Sequence, residues 1–337
     1  MKNDNGFPLK AQRFEFPGST AHYPPLLSFT IENMCLKIKP DFDFDILKDC
    51  EQKLRITACT DINEIKLDIA EIDVHQVVSS SDTTISFDIL EKDDKLIIKL
   101  GQILHKDNTI DLTIRYSAGC YREDGVLGIY KPRSGFYFVS PSKDSSNKQA
   151  WTQGEALESK YWFPCLEDPQ VKFAHEIQIT VPENDYVVIS NGELAHKEGN
   201  TWTWIEQNPT PAYLTSVVIG KFAQEQQEYC YDNDVGNNGN RNSIPLLYYW
   251  PKEIPKKDAM LTFANTPNMI RFFEEYFDIK YPYKKYSQVA VEEFELGGME
   301  NTNCTILTKY ILHDEIADNS KLDYHDSLAK ENLSRVL

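Results

Sequence analysis

No window of the 337-residue chain approaches the ~18 uninterrupted apolar residues of a membrane span, and the opening Met1-Lys2-Asn3-Asp4-Asn5-Gly6 lacks the apolar core of a signal peptide. A soluble, unexported protein without membrane partners is expected. Basic residues are scarce: 35 Lys plus Arg stand against 52 Asp plus Glu, a formal charge of -17 that opposes any polyanionic backbone. Nucleic acid is therefore excluded as a partner. The same acidity suits a cationic ligand such as a peptide's free amine, although acidic surfaces more often serve only solubility. Cysteine is present but unorganised. The seven residues, at 35, 50, 59, 120, 165, 230 and 304, are odd in number and contain no C-x-x-C pair. Neither a disulfide framework nor a thiolate zinc site follows, and reduced, mostly buried thiols fit a cytoplasmic location. No internal repeat and no phosphate-loop glycine spacing occur, which removes nucleotide chemistry.

What is present is hydrophobic material for ordinary cores, 41% of residues with 12% aromatic, in a length that suits two domains. Up to about residue 222 the dominant pattern has period two. Ile110, Leu112, Ile114 and Tyr116 alternate with Thr109, Asp111, Thr113 and Arg115, and similar stretches fall at 54–58, 85–89, 96–100, 177–181 and 213–219. One-sided alternation predicts an antiparallel β-sandwich or saddle, with one face covered and one open. Residues 232–243, with five Asn, two Asp and two Gly, read as an exposed loop.

A change of regime follows. After the apolar run 244–250, Met260, Phe263, Ile270, Phe273 and Phe277 recur at helical spacing, and Pro267 must either kink that helix or begin a second one. Two domains are expected: a mainly β unit over residues 1–224, and over 225–337 the incomplete beginning of an α+β unit. Residues 324–337 read as a further helix with no stop signal at its end.

The most specific local feature is Gly297-Gly298-Met299-Glu300-Asn301. At average residue usage a G-x-M-E-N string arises by chance in only ~1 of 1,000 chains of this length. Two glycines let a backbone approach a ligand closely and present a strand edge to which an extended peptide can add. Glu300 beside that edge could accept a charge-assisted hydrogen bond from a free amine; the alternative is a tight turn with a solvated Glu and a buried Met.

Two blocks extend this reading. One runs from Phe272-Phe273-Glu274-Glu275-Tyr276-Phe277 through Tyr281-Pro282-Tyr283-Lys284-Lys285 and Gln288-Val289-Ala290-Val291 to the pentapeptide. The other is Thr152-Gln153-Gly154-Glu155-Ala156 followed by Tyr161-Trp162-Phe163-Pro164-Cys165-Leu166-Glu167-Asp168-Pro169. In residues, order and separation they resemble the aminopeptidase N type of zinc metallopeptidase, the gluzincin aminopeptidases that include leukotriene hydrolase. The resemblance implies an N-terminal β-saddle followed by the start of a thermolysin-like catalytic domain. It further implies that Glu300 and Glu155 grip the α-amine of a peptide substrate from two domains, and that Gly297, Gly298 and Met299 line the substrate. Lys160 departs from the arginine common in the family, and a lysine cannot make the same bidentate contact. Residue 155 is Glu, as in the aminopeptidases, where the leukotriene hydrolase branch resembles a Gln.

The zinc ligands of such an enzyme are missing. A gluzincin needs H-E-x-x-H on a helix, two imidazoles one turn apart with Glu as general base, and a third ligand Glu on the next helix. None of the seven histidines satisfies this. His175-Glu176 lies in a period-two stretch and reads as a strand histidine, and His313 and His325 read as surface residues. By the resemblance, the first zinc histidine is expected a few residues beyond Leu337. The expectation is thus the N-terminal portion of a zinc-dependent aminopeptidase, inactive alone, with no catalytic or metal residue of its own. Two alternatives stay open: a non-catalytic scaffold of the same fold, and an epoxide hydrolase of leukotriene hydrolase type. The glycosylation patterns at Asn303 and Asn332 read as chance in an unexported chain.

Overall fold

The computed structural model describes residues 26–80, 83–119, 122–123, 126–127, 134–139, 148–235 and 241–318. The predicted helix at 324–337, His325, Asn332 and Cys120 lie outside them.

The alternating stretches become a large, mostly antiparallel sheet. Its spatial order is Glu193–Glu198, Thr201–Pro211, Lys172–Thr180, Phe29–Ile38, Ile46–Ala58, Thr109–Ala118 and Ile72–Ser79, and the short strand Pro40–Asp41 pairs beside Ile46–Ala58. Within Thr109–Ala118 the residues Leu112, Ile114, Tyr116 and Ala118 are buried, while Asp111 and Arg115 face solvent and pair across the strand with Arg55 and Glu51. Exposed pairs of this kind contribute at most about 1 kcal/mol each, so the buried row holds the sheet. The buried row packs against a three-stranded sheet, Ile62–Asp68, Lys95–Leu104 and Phe87–Leu90, through one core that includes Ile65, Leu67, Leu96 and Ile98. The mainly β expectation holds, with one parallel pair, Phe29–Ile38 beside Lys172–Thr180.

Two local readings need correction. Residues 213–219 are not one alternating strand: Ala212–Leu214 form a 3₁₀ turn, and the strand Val217–Gly220 is buried along its whole length inside a four-stranded sheet. Burial on both faces removes the polar half of the alternation. The loop predicted at 232–243 is shorter, because strands Phe222–Val235 and Arg241–Pro251 extend into it from both sides. Backbone pairing in a long hairpin outweighs the weak strand preference of Asn and Asp.

Those two strands open a five-stranded sheet in the order Phe222–Val235, Arg241–Pro251, Tyr286–Val291, Cys304–Thr308 and Gly298–Met299. Arg241–Pro251 and Tyr286–Val291 run parallel, which requires a crossover of a dozen or more residues, and helices α1 (Lys256–Phe263) and α2 (Thr266–Phe277) supply it. Pro267 stands in the first turn of α2, where its missing N–H costs nothing, so it begins a second helix. Helix α2 turns Met269, Ile270 and Glu274 inward. The buried Glu274 carboxylate accepts from the Tyr229 hydroxyl at 2.6 Å and the Tyr281 N–H at 2.7 Å. A further core, with Trp151, Ile189 and Val218 from the four-stranded sheet, Val289, Met299 and Ile306 from the five-stranded one, and Phe294 from the loop before Gly298–Met299, fuses the two sheets.

Candidate functional site

Gly298–Met299 is the outermost strand of the five-stranded sheet. It pairs on one side only, Gly298 with Leu307 and Met299 with Ile306. Gly297 enters it at φ +75°, in the left-handed region that glycine adopts without strain, and its carbonyl accepts the Thr308 N–H at 2.9 Å. Met299 is buried in the junction core, while Gly298 and Glu300 are partly exposed. The glycines and methionine therefore form an edge with the Glu300 carboxylate at its end.

Glu155 follows a strand of the four-stranded sheet. Strand Gln149–Thr152 leads into the turn at Gly154, which the Glu158 N–H closes on the Gly154 carbonyl at 2.9 Å. A Cβ on Gly154 would stand 2.4 Å from the Tyr213 carbonyl oxygen, so only glycine lets these backbones approach. Gln153, almost fully buried, donates its amide both to the Glu155 carbonyl at 3.4 Å and to the Met299 sulfur at 3.5 Å. Glu155 itself is exposed.

Four more hydrogen bonds join residues 149–192 to residues 292–303 around this spot. The Trp151 indole N–H donates to the Glu292 carbonyl at 3.1 Å, and the Glu292 N–H donates to Gln149 Oε1 at 3.0 Å. Asn191 donates to the Thr302 carbonyl at 2.6 Å, and the Gly192 N–H donates to Asn303 Oδ1 at 2.8 Å. Buried hydrogen bonds of this kind fix geometry, since breaking one strands a desolvated partner. Asn303 also donates to Glu206, and Lys285 Nζ meets the Asn303 carbonyl at 3.1 Å and Oδ1 at 3.0 Å. Burial pulls the Lys285 ammonium down to about 8.

All five residues singled out in the sequence thus meet at one junction. Gln153, Trp151, Asn191 and Asn303, which hold them there, were not singled out. Gln153 stands inside a quoted block, next to a glycine and two places before the acid, and that adjacency could have found it. Asn303 was noticed only as a glycosylation pattern, yet it is 1% exposed with its amide engaged. His175 lies in strand Lys172–Thr180 as expected and is buried. His313 is not a surface residue: it is half-buried, with Nδ1 3.2 Å from the Thr262 hydroxyl. Lys160 makes a single-point contact with Asp94 at 2.7 Å, as a lysine must. Among the described residues no group of three or more His, Cys, Asp or Glu could hold a metal ion, and no helix is long and apolar enough to cross a membrane.

Comparisons with known proteins bear on the chain's family. Aminopeptidase N of Streptomyces lividans is 28% identical over 257 residues, covering 75% of this chain and 27% of that protein. The alanine/arginine aminopeptidase of Saccharomyces cerevisiae is 28% identical over 271 residues, 78% of this chain and 29% of that protein. The chain therefore spans less than a third of the length of these curated relatives. A solved structure of yeast LTA4 hydrolase in complex with bestatin superposes with a TM-score of 0.69 over 90% of this chain and 43% of its own; at 19% identity this is a likeness of fold. Residues 21–214 match the peptidase M1 N-terminal domain and residues 261–330 the peptidase family M1 domain. The first match alone spans more than half of the chain, so the chain belongs to the peptidase M1 family.

Proposed function

We propose that the whole protein is a zinc-dependent aminopeptidase that removes single residues from peptides with a free amino terminus. Glu155 and Glu300 hold the substrate's α-ammonium, and Gly297, Gly298 and Met299 offer the strand edge along which the peptide lies. Two carboxylates around one ammonium select both charge and position, and binding energy gained there aligns the first peptide bond. The zinc ion, held by residues outside those described, supplies a polarised water when bound. The chain ending at Leu337 is then inactive alone, and a cytoplasmic location accords with its cysteine usage.

One observation carries this reading: Gln153 bridges the Glu155 carbonyl and the Met299 sulfur, so an acid-bearing turn of one unit is tied to the acid-bearing edge of the other. In the full-length protein, Glu155→Ala or Glu300→Ala should each lower kcat/KM toward aminoacyl anilides by the equivalent of roughly 1.5 to 3 kcal/mol, the size of a hydrogen bond to a charged group. Unchanged efficiency in both variants would remove the anchor role. Zinc-dependent cleavage by the polypeptide ending at Leu337 would remove the claim of inactivity.

A further inference from the structure

Tyr137 packs against the core that contains Met299, and it touches what holds both acids. Its ring stacks on Trp151 with centroids 4.4 Å apart and planes 20° from parallel. Its hydroxyl donates to Glu158 Oε2 at 3.0 Å, and the Gly135 N–H reaches the same oxygen at 3.3 Å. The Glu158 main chain closes the turn that presents Glu155, through its N–H to the Gly154 carbonyl.

Beyond the Gln153 amide on the Glu155 carbonyl and the Tyr213 backbone against Gly154, that turn has little to fix it. Glu155, Ala156 and Leu157 are all exposed, so no apolar packing opposes their conformational freedom, and the geometry depends on hydrogen bonds at the turn's ends. Trp151 is fixed from the other side: its indole donates to the Glu292 carbonyl and its ring meets Phe294 edge-on at 5.0 Å. Residues 292–294 lead straight into the pentapeptide. A contiguous path therefore joins the two acids, running from the Glu155 turn through Glu158, Tyr137 and Trp151 to the segment before Gly297.

We propose that Tyr137 and Glu158 are positioning residues for Glu155: the Tyr137 hydroxyl, set by Trp151 against the loop before the pentapeptide, fixes Glu158 and so the turn that presents Glu155 to the strand edge. The inference rests on the reading of Glu155 as an amine anchor. A hydrogen bond from a half-buried hydroxyl to a carboxylate is charge-assisted, and losing it frees a turn whose placement must hold to well under 1 Å for two acids to share one ammonium.

The test is a mutant cycle in the full-length enzyme with an aminoacyl anilide. Tyr137→Phe removes the hydroxyl and keeps the stacked ring. It is expected to raise KM by about tenfold with a smaller change in kcat, as loss of a hydrogen bond to a charged group does. Added to Glu155→Ala, it is expected to change kcat/KM by less than about twofold, because residues acting through one group are not additive. Glu158→Gln, which keeps an acceptor for the hydroxyl, should stay within about threefold of wild type, and Glu158→Ala should match Tyr137→Phe. A purely structural role would lower kcat/KM by the same factor with and without Glu155, and that result, or no effect of Tyr137→Phe, overturns the proposal. If Glu155→Ala itself changes nothing, the anchor reading fails first and Tyr137 has no anchor to position.

Discussion

Gln153 donates its amide to the sulfur of Met299, 146 positions further along the chain, at 3.5 Å. The same amide reaches the Glu155 carbonyl two residues away, so one side chain registers both halves of the proposed amine site. Both contacts are long, and the Gln153 Oε1 is buried without a partner among the described residues. Gln153→Leu would remove two weak bonds together with one unsatisfied acceptor. Stability should therefore change by less than about 1 kcal/mol, while KM for a free-amine substrate rises several-fold. A urea titration and steady-state kinetics on the same preparation check this, and a large stability loss with unchanged KM would show Gln153 to be only a core residue.

Gly154 offers a sharper steric test. An added methyl would meet the Tyr213 carbonyl oxygen at 2.4 Å and its Cα at 2.8 Å, and both are backbone atoms that cannot rotate away. Gly154→Ala should cost about 3 kcal/mol, the upper range for overpacking, and should move the Glu155 turn as the two backbones separate. Equilibrium unfolding reads the first effect and the KM of the folded fraction the second. Wild-type values for both would mean that the two backbones have room to part.

The division between what was legible in the sequence and what was not follows from the range of each cause. Alternation in Thr109–Ala118 and the break at Pro267 are local, and both appear in the fold as read. Strand Val217–Gly220 is buried on both faces, so its period vanished and its start was misplaced. The junction's hydrogen bonds are the extreme case. Asn191 and Thr302, or Gly192 and Asn303, are 111 residues apart, and no spacing or periodicity encodes such a pair. Glu155 and Glu300 stand out because short motifs around them resemble a family, whereas Asn191 stands in no motif and Asn303 only in a glycosylation pattern that says nothing of its packing.

The buried His175 and the half-buried Glu167 should oppose each other in mild acid. Burial holds the His175 imidazole down to about 4 from 6.5, so between those values the unfolded chain takes up a proton that the fold refuses, and stability from this group rises with pH. Burial pushes the Glu167 carboxyl up to about 7 from 4.5, against the pull of the Lys160 N–H at 2.7 Å. There the folded chain keeps a proton that the unfolded chain has released, and stability from this group falls as pH rises. The slopes cancel in the overlap, pH 4.5 to 6.5. Glu167→Gln should unmask a positive slope approaching 1.4 kcal/mol per pH unit and His175→Gln a negative one, read from urea midpoints at stepped pH. Equal slopes in wild type and both variants would contradict these assignments.

Lys285 extends the argument to alkaline pH. Its ammonium is 3% exposed and is held by the Asn303 carbonyl and side chain, 5.3 Å from the Trp204 ring centre. Glu206, which accepts from the Asn303 amide, attracts the ammonium through space, but that attraction is smaller than the cost of burial. The fold therefore favours neutral Lys285, with its titration at about 8 against 10.5 in the unfolded chain. Above pH 8 the folded protein gives up a proton that the unfolded chain keeps, so stability from this group rises with pH. Below pH 8 both states are charged and the slope is flat. Between pH 8 and 9.5, before unfolded tyrosines ionise, wild type should gain about 2 kcal/mol relative to Lys285→Met. Asn208 and Asn303 still satisfy the Glu206 carboxylate in that variant, which keeps the junction folded for comparison. Denaturant unfolding of both proteins at pH 8 and 9.5 gives the difference. A gap that narrows or stays constant would mean that the lysine is solvated or ion-paired in the folded protein, with an ordinary titration.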